Sequence, residues 1–169
     1  MNWTIILTDE QLARIKSVSL ARNATNRGAS NPDGAVIDSL TADEVGAIGE
    51  EAVSSIMKLE WDGKHFSFED WLEWRKSGGD VSGLEVKCTK HPKGRLWVRE
   101  YEKVKLNAPY ILVKADRLPE VTLAGWAYGK EIKQDINWEE GLYGKPVYYI
   151  PTNKLHPMDD LLKLIEKKL

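Results

Sequence analysis

The stretch GGDVSGLEVKCTK, residues 78–90, places an Asp, a Glu and a Lys within a short run that otherwise reads as core. On a strand, Leu84, Val86 and Cys88 point to one face, and Glu85, Lys87 and Thr89 to the other. Glu85 and Lys87 then share a face about 7 Å apart, two residues along the strand. Asp80 lies just upstream, beyond VSG. A turn at Ser82–Gly83 would bring Asp80 beside Glu85. Two adjacent carboxylates repel unless a cation joins them. Mg²⁺ suits that role because it takes hard oxygen ligands and keeps several waters. A Lys next to such a pair can orient or deprotonate an attacking water, or stabilise charge that develops on a phosphate. The same residues also suit an ordinary strand with a wet face. Glu-x-Lys recurs at Glu131/Lys133 and Glu166/Lys168, so spacing alone does not choose between the two readings.

The chain has 169 residues, 42% of them apolar and 30% charged, which fits one globular domain spanning 1–169. Its expected parts are an N-terminal helix and polar loop (1–40), a core (41–150) and a closing helix (151–169). A single Cys, Cys88, excludes an internal disulfide and any multi-Cys zinc site. It fits a reducing, cytoplasmic setting. No apolar run is long enough to span a membrane, and MNWTIILTDEQ lacks the pattern of a secretory signal. Net charge is −2, but seven basic residues against two acidic ones lie between Lys87 and Lys105. Such a local stretch suits a phosphate-facing surface; it equally suits a solvated strand edge. His91, next to Pro92, reads as an exposed loop residue.

TDEQLARIKSVSLAR, residues 8–22, has helical periodicity, with Thr8 and Gln11 forming a capping box. A polar loop follows. A second helix is expected from a Thr41/Glu44 capping box to about Leu59. The segment 61–80 reads as a short strand near 64–68, a helical turn at 69–76 and a Gly-Gly break. LEVKCT and RLWVRE flank KHPKG, the pattern of a hairpin. PYILVKAD is a nearly continuous apolar run, as expected of a central strand. VTLAGWAYGKEI reads as a strand in which Gly125 and Gly129 mark a bulge or a close approach. KPVYYIP is expected to be a short strand and PMDDLLKLIEKK an amphipathic helix. The order predicts an α/β fold bordering on α+β, with helices packed on a sheet.

The second helix bears on the 78–90 stretch. Gly46, Glu50, Val53 and Met57 share one side, so Glu50 is expected to point inward. Glu51 falls with Ala47, Ser55 and Lys58 and is expected to be solvated. Gly46 and Gly49 each cost a helix about 1 kcal/mol relative to Ala. Their presence predicts a close approach to the backbone, by a strand or by a substrate phosphate.

GAIGEEA, then GD, then LEVK, resembles the PD-(D/E)XK nuclease superfamily, with the restriction-endonuclease-like fold. GAIGEEAV, GGDVSGLEVKCT, APYILVKAD and LAGWAYGKEI together resemble small phage-encoded members, over roughly residues 41–132. The resemblance implies a mixed central sheet flanked by helices and a Mg²⁺- or Mn²⁺-dependent deoxyribonuclease. By position it implies Asp80, Glu85 and Glu50 as metal ligands, with the carbonyl of Val86 as a further one. Lys87 would be the motif Lys that positions the attacking water. Lys90, Lys93, Arg95 and Arg99 would contact the phosphates of DNA. The products would carry 5′-phosphate and 3′-hydroxyl ends. Two features depart from the pattern. Gly79 stands where Pro is usual, and no helix is evident between Trp97 and Pro109. Other readings are a dimeric, junction-type endonuclease and a catalytically inert nucleic-acid-binding module. A structural protein with Trp61, Trp71 and Trp74 as a contact patch is a third, against core packing for at least two of these Trp.

Overall fold

The computed structural model describes residues 2–25, 39–63, 80–100, 102–141 and 144–167. It is a mixed helix-and-sheet structure of the α+β kind. Strand β1 (Thr4–Ile6) leads into helix α1 (Asp9–Thr25), and helix α2 (Ser39–Met57) follows. Strands β2 (Glu85–Thr89), β3 (Leu96–Arg99), β4 (Pro109–Arg117) and β5 (Glu120–Tyr128) come next. Then come a single helical turn α3 (Gly129–Ile132), strands β6 (Trp138–Glu140) and β7 (Pro146–Ile150), and helix α4 (Met158–Glu166).

The strands form two sheets, ordered β1-β5-β4-β2 and β3-β7-β6. The first is mixed: β2 runs parallel to β4, while β4–β5 and β1–β5 are antiparallel. PYILVKAD is indeed its central strand. Ile111, Val113 and Ala115 face one core, shared with α1, α2 and α4. Tyr110 and Leu112 face a second core, shared with β3, β7 and α3. Burial on both faces explains why the run is apolar throughout rather than alternating.

The hairpin expected across KHPKG does not form. β2 pairs with β4, whereas β3 pairs with β7 in the other sheet. The reason lies in which core each strand serves. Val86 and Cys88 pack on the first core, and Leu96 and Val98 are fully buried in the second. One flat hairpin cannot serve two cores on opposite faces of β4, so residues 90–95 carry the chain from one sheet to the other. A tight turn, closed by a hydrogen bond from the Gly94 N–H to the His91 carbonyl at 2.8 Å, begins that passage.

The Thr8 capping box is present: the Thr8 N–H donates to Gln11 Oε1 at 2.9 Å, and the Gln11 N–H donates to Thr8 Oγ1 at 3.2 Å. Thr41 is not a cap, because α2 is already helical from Ser39. Leu40, although exposed, is a good helix former and is compatible with a start ahead of the capping signature. The expected strand near 64–68, the turn at 69–76, the Gly-Gly break and Trp71 and Trp74 lie outside the described residues. Gly125 sits at a bulge opposite Leu112, with φ +146° and Leu155 pressed against it.

Helix α2 meets β2 through Gly49. A Cβ there would lie 2.8 Å from Cys88 Cβ and 2.9 Å from Val86 Cγ1. The close approach expected of the helix glycines is thus made by a strand at Gly49. A Cβ at Gly46 would meet nothing within 4 Å. Gly49→Ala is therefore expected to destabilise the protein by about 1–3 kcal/mol through overpacking. Gly46→Ala is expected to stabilise it by about 0.5–1 kcal/mol. Urea unfolding of the two variants checks both, and equal effects would contradict the contact.

Candidate functional site

The site begins with a turn. Val81 and Leu84 pair as an isolated antiparallel bridge, with Leu84 N–H to Val81 carbonyl at 2.9 Å and Val81 N–H to Leu84 carbonyl at 3.2 Å. The two residues between them have positive φ, 47° at Ser82 and 85° at Gly83. That pattern marks a type I′ two-residue loop, whose twist matches the strands it joins. Gly83 takes its conformation without a Cβ penalty, while Ser82 holds a left-handed conformation that costs an L-residue about 1 kcal/mol. The turn folds the chain back, so that Asp80 lies across from the start of β2. The Val86 N–H donates to Asp80 Oδ2 at 2.7 Å. A strand residue sends its N–H and C=O to the same edge, so the Val86 carbonyl also faces the Asp80 side.

Glu85 and Lys87 project from the face of β2 opposite the Val86 and Cys88 core contacts, as alternation predicts. Their β4 neighbours in register are Tyr110 and Leu112. Each charged group has a partner from the segment that follows β3. Lys105 Nζ donates to Glu85 Oε1 at 2.7 Å, and Lys87 Nζ donates to Glu102 Oε1 at 2.8 Å. The other Glu102 oxygen accepts the Arg99 N–H at 2.7 Å. Burial works against the Glu102 charge, but Lys87 and the Arg99 N–H outweigh it and hold its pKa below the ordinary value.

Asp80 behaves differently. It is partly buried, and burial followed by the adjacent Glu85 charge pushes its pKa up to about 7. Glu50 adds to the rise, while the Val86 N–H and Lys87 oppose it. The two carboxylates are thus close enough to repel.

Glu50 points inward, as the helix periodicity predicts, and is buried. Its carboxylate is engaged on both oxygens. Arg22 donates to Oε1 at 2.9 Å and to Oε2 at 2.6 Å, and Trp61 Nε1 donates to Oε2 at 2.7 Å. Burial alone would lower the Arg22 pKa; the salt bridge to Glu50 overrides it and raises it. The charge of Asp80 also acts on Arg22, which places this pair next to the Asp80 pocket. Trp61 is a core residue.

Glu51, expected to be solvated, is 4% exposed. Gln11 Nε2 donates to it at 3.0 Å, the Ser55 hydroxyl at 3.0 Å, and Arg14 lies 3.5 Å away. The polar side of α2 is covered by α1, a packing that the periodicity of one helix could not reveal.

The Asp80 and Glu85 carboxylates, close enough for one charge to act on the other, and the Val86 carbonyl are hard oxygen donors of the kind Mg²⁺ takes, an ion that keeps most of its shell as water and substrate oxygens. Glu50 does not fit as a direct ligand in this arrangement, because Arg22 and Trp61 hold both of its oxygens. Among the described residues, no group of three or more His, Cys, Asp or Glu is arranged to hold a metal ion. Glu131/Lys133, one of the two Glu-x-Lys repeats, serves elsewhere: Glu131 accepts the Tyr128 N–H at 2.7 Å and lies 2.8 Å from His156 Nε2.

The predicted phosphate-contacting residues spread from the end of β2 into β3. Lys90 and Lys93 are exposed on the connecting turn, with Lys90 Nζ 3.8 Å from Glu44. His91 is exposed too, its Nδ1 accepting the Lys93 N–H at 3.1 Å. Arg95 and Arg99 lie on β3 or its approach, in the second sheet. Arg22 was not signalled by the sequence, and Glu102 and Lys105 stood there only as members of the charged stretch, with no role of their own. They lie at the end of one helix and in irregular chain, where no periodicity marks a direction. Comparison with protein-family models, with curated proteins and with solved structures returned no match. Among the described residues no helix is long and apolar enough to cross a membrane.

The raised Asp80 value has a consequence for stability. A group whose folded-state pKa lies above its unfolded value stabilises the fold most below the unfolded value, and that contribution is lost as pH rises through the folded value. Stability should therefore fall between about pH 4 and pH 7, by at most about 4 kcal/mol. Asp80→Asn keeps an acceptor for the Val86 N–H but carries no charge. Denaturant unfolding across that range should show a flatter profile for this variant and a gain over the parent at pH 8. An unchanged pH profile would show that Asp80 is not the group under strain.

Proposed function

We propose that the protein is a metal-dependent nuclease of the PD-(D/E)XK type, acting on DNA phosphodiester bonds. The observation that carries this reading is the Val81–Leu84 turn, which sets Asp80 against Glu85 on the flank of a strand that also presents Lys87. A mixed sheet with helices packed on one face is compatible with the restriction-endonuclease-like arrangement. When bound, Mg²⁺ or Mn²⁺ supplies Lewis-acid polarisation of a phosphate oxygen and a water of lowered pKa.

The chain's own residues divide the remaining work. Asp80 and Glu85 offer carboxylate oxygens, and the Val86 carbonyl faces the same edge. Asp80 must be ionised to bind a cation, so protons compete with metal as pH falls below about 7. Lys87 is held by Glu102, which is in turn fixed by the Arg99 N–H. An ammonium carries three donors, so one bond to Glu102 leaves two for an attacking water or a phosphate oxygen. Glu102 is a positioning residue in this scheme. Glu50 supports the site from behind by holding Arg22 beside Asp80.

One observation favours a second reading, an inert nucleic-acid-binding module of the same fold. Lys105 already neutralises Glu85, and Glu102 already neutralises Lys87, so part of the network is satisfied without a ligand.

Supercoiled, linear and branched DNA incubated with Mg²⁺, Mn²⁺ or EDTA separates the two. The nuclease reading expects cleavage only with metal, and a loss of about 10²-fold or more in Lys87→Ala. Calorimetric Mg²⁺ titration should show binding that weakens below pH 7 and is lost in Asp80→Asn. Cleavage persisting in EDTA, or unaffected by Lys87→Ala, would overturn the mechanism. Salt-sensitive binding without cleavage of any substrate would leave the inert module.

A further inference from the structure

The outer face of the second sheet carries an arrangement of aromatic and cationic groups that the metal site does not use. Along β3, Leu96 and Val98 are buried inward, so Arg95, Trp97 and Arg99 project to the opposite face. On β7, Tyr149 stands directly across from Trp97 in the antiparallel register. The Arg95 guanidinium lies over the Tyr149 ring at 3.8 Å, and that of Arg99 lies over the Trp97 ring at 5.5 Å. Trp97 is 44% exposed, high for a large aromatic residue on a strand. A neighbouring acid, Glu139, lies 3.3 Å from Arg95 at the surface. A pair so exposed contributes little to stability and yields readily to a competing phosphate.

The geometry points to this face as a stacking platform for unpaired nucleotides of single-stranded DNA. A cross-strand aromatic pair offers flat π-surfaces to successive bases, and a guanidinium plane extends each ring. The same arginines supply positive charge for the backbone. Charge complementarity selects the occupant. An apolar protein partner would gain nothing from two guanidinium groups that it must desolvate, whereas a polyanion with exposed rings uses both chemistries. Duplex DNA presents its phosphates but hides its base faces, so the platform favours unpaired segments over duplex. Residues 90–95 join this face to the end of β2, and the exposed Lys93 and Lys90 extend its positive charge in that direction. The inference rests on the nuclease reading only for the choice of nucleic acid as ligand.

Fluorescence anisotropy with labelled single-stranded and duplex oligonucleotides of equal length, in EDTA, tests it without any need for cleavage. The parent protein should bind the single strand more tightly than the duplex. Trp97→Ala should weaken single-strand binding roughly 5- to 150-fold, leave duplex binding nearly unchanged and keep the salt dependence. Trp97→Phe should restore most of the affinity, which a role in folding alone would not predict for both probes separately. Arg95→Gln with Arg99→Gln should instead flatten the salt dependence for both. Circular dichroism of each variant confirms that the fold is retained. Equal affinity for the two probes, no binding of either, or single-strand binding indifferent to Trp97→Ala would overturn the platform and leave the face to a protein partner. None of those results bears on metal-dependent cleavage, which its own assay decides.

Discussion

Strand β4 is buried on both faces, and the arrangement of the rest follows from that constraint. An apolar strand with no wet face needs a cover on each side. Helices α1, α2 and α4 supply one cover and the second sheet supplies the other. A strand next to β4 must then choose a side for its apolar residues. β2 gives Val86 and Cys88 to the helix side, where Gly49 admits them closely. Its other face, with Glu85 and Lys87, is turned toward the second core. The charged residues are therefore held against the rim of packed structure. They are kept from bulk water enough for their charges to matter, yet they remain partly exposed.

Much of this was legible in the sequence where the signal is local. The Thr8 capping box, the central strand, the Gly125 bulge and the alternation of 84–89 each rest on a few neighbouring residues, and each is found in the structure. The Ser82–Gly83 turn was legible as a condition, because Gly permits the conformation that the turn needs. The two failures that bear most on the site share one cause. The hairpin across KHPKG was inferred from two adjacent alternating runs, but which core each run serves is a matter of residues far along the chain. Leu96 and Val98 answer to Tyr110, Leu112 and Ile150, and nothing within the hairpin reveals that. Glu51 fails in the same way. Its partners Gln11 and Arg14 lie forty and thirty-seven positions away, on another helix. Strand β6 and the split into two sheets were missed because short strands on a second layer carry too little alternation to stand out.

The charges around Asp80 are not equally provided for. Glu50 is matched by Arg22 and Trp61 with good geometry on both oxygens, as a buried carboxylate must be if it is not to destabilise the fold. Replacing either partner would strand a charge in the interior. Glu85 has Lys105, and Lys87 has Glu102. The side chains of these pairs are about a third exposed or less, so each is still reached by water, contributes modestly to stability and does more to fix geometry than to supply energy. Lys87 in particular is oriented by a chain of contacts running back through Glu102 to the β3 backbone.

Asp80 stands apart from these. Among the described residues its one hydrogen bond comes from the Val86 N–H, and no basic side chain forms a salt bridge with it. A carboxylate so placed can resolve the repulsion from Glu85 in two ways. It can take up a proton, which burial and Glu85 already favour up to about pH 7. It can also share a cation with Glu85, which would remove the repulsion at any pH where both groups are ionised. An ordinary wet strand face would solve the problem more cheaply by turning Asp80 into water. The Val81–Leu84 turn instead brings Asp80 back to β2, where its carboxylate accepts the Val86 N–H. The left-handed conformation at Ser82 thus costs the fold about 1 kcal/mol to seat Asp80 against the Val86 N–H, where the Glu85 charge acts on it.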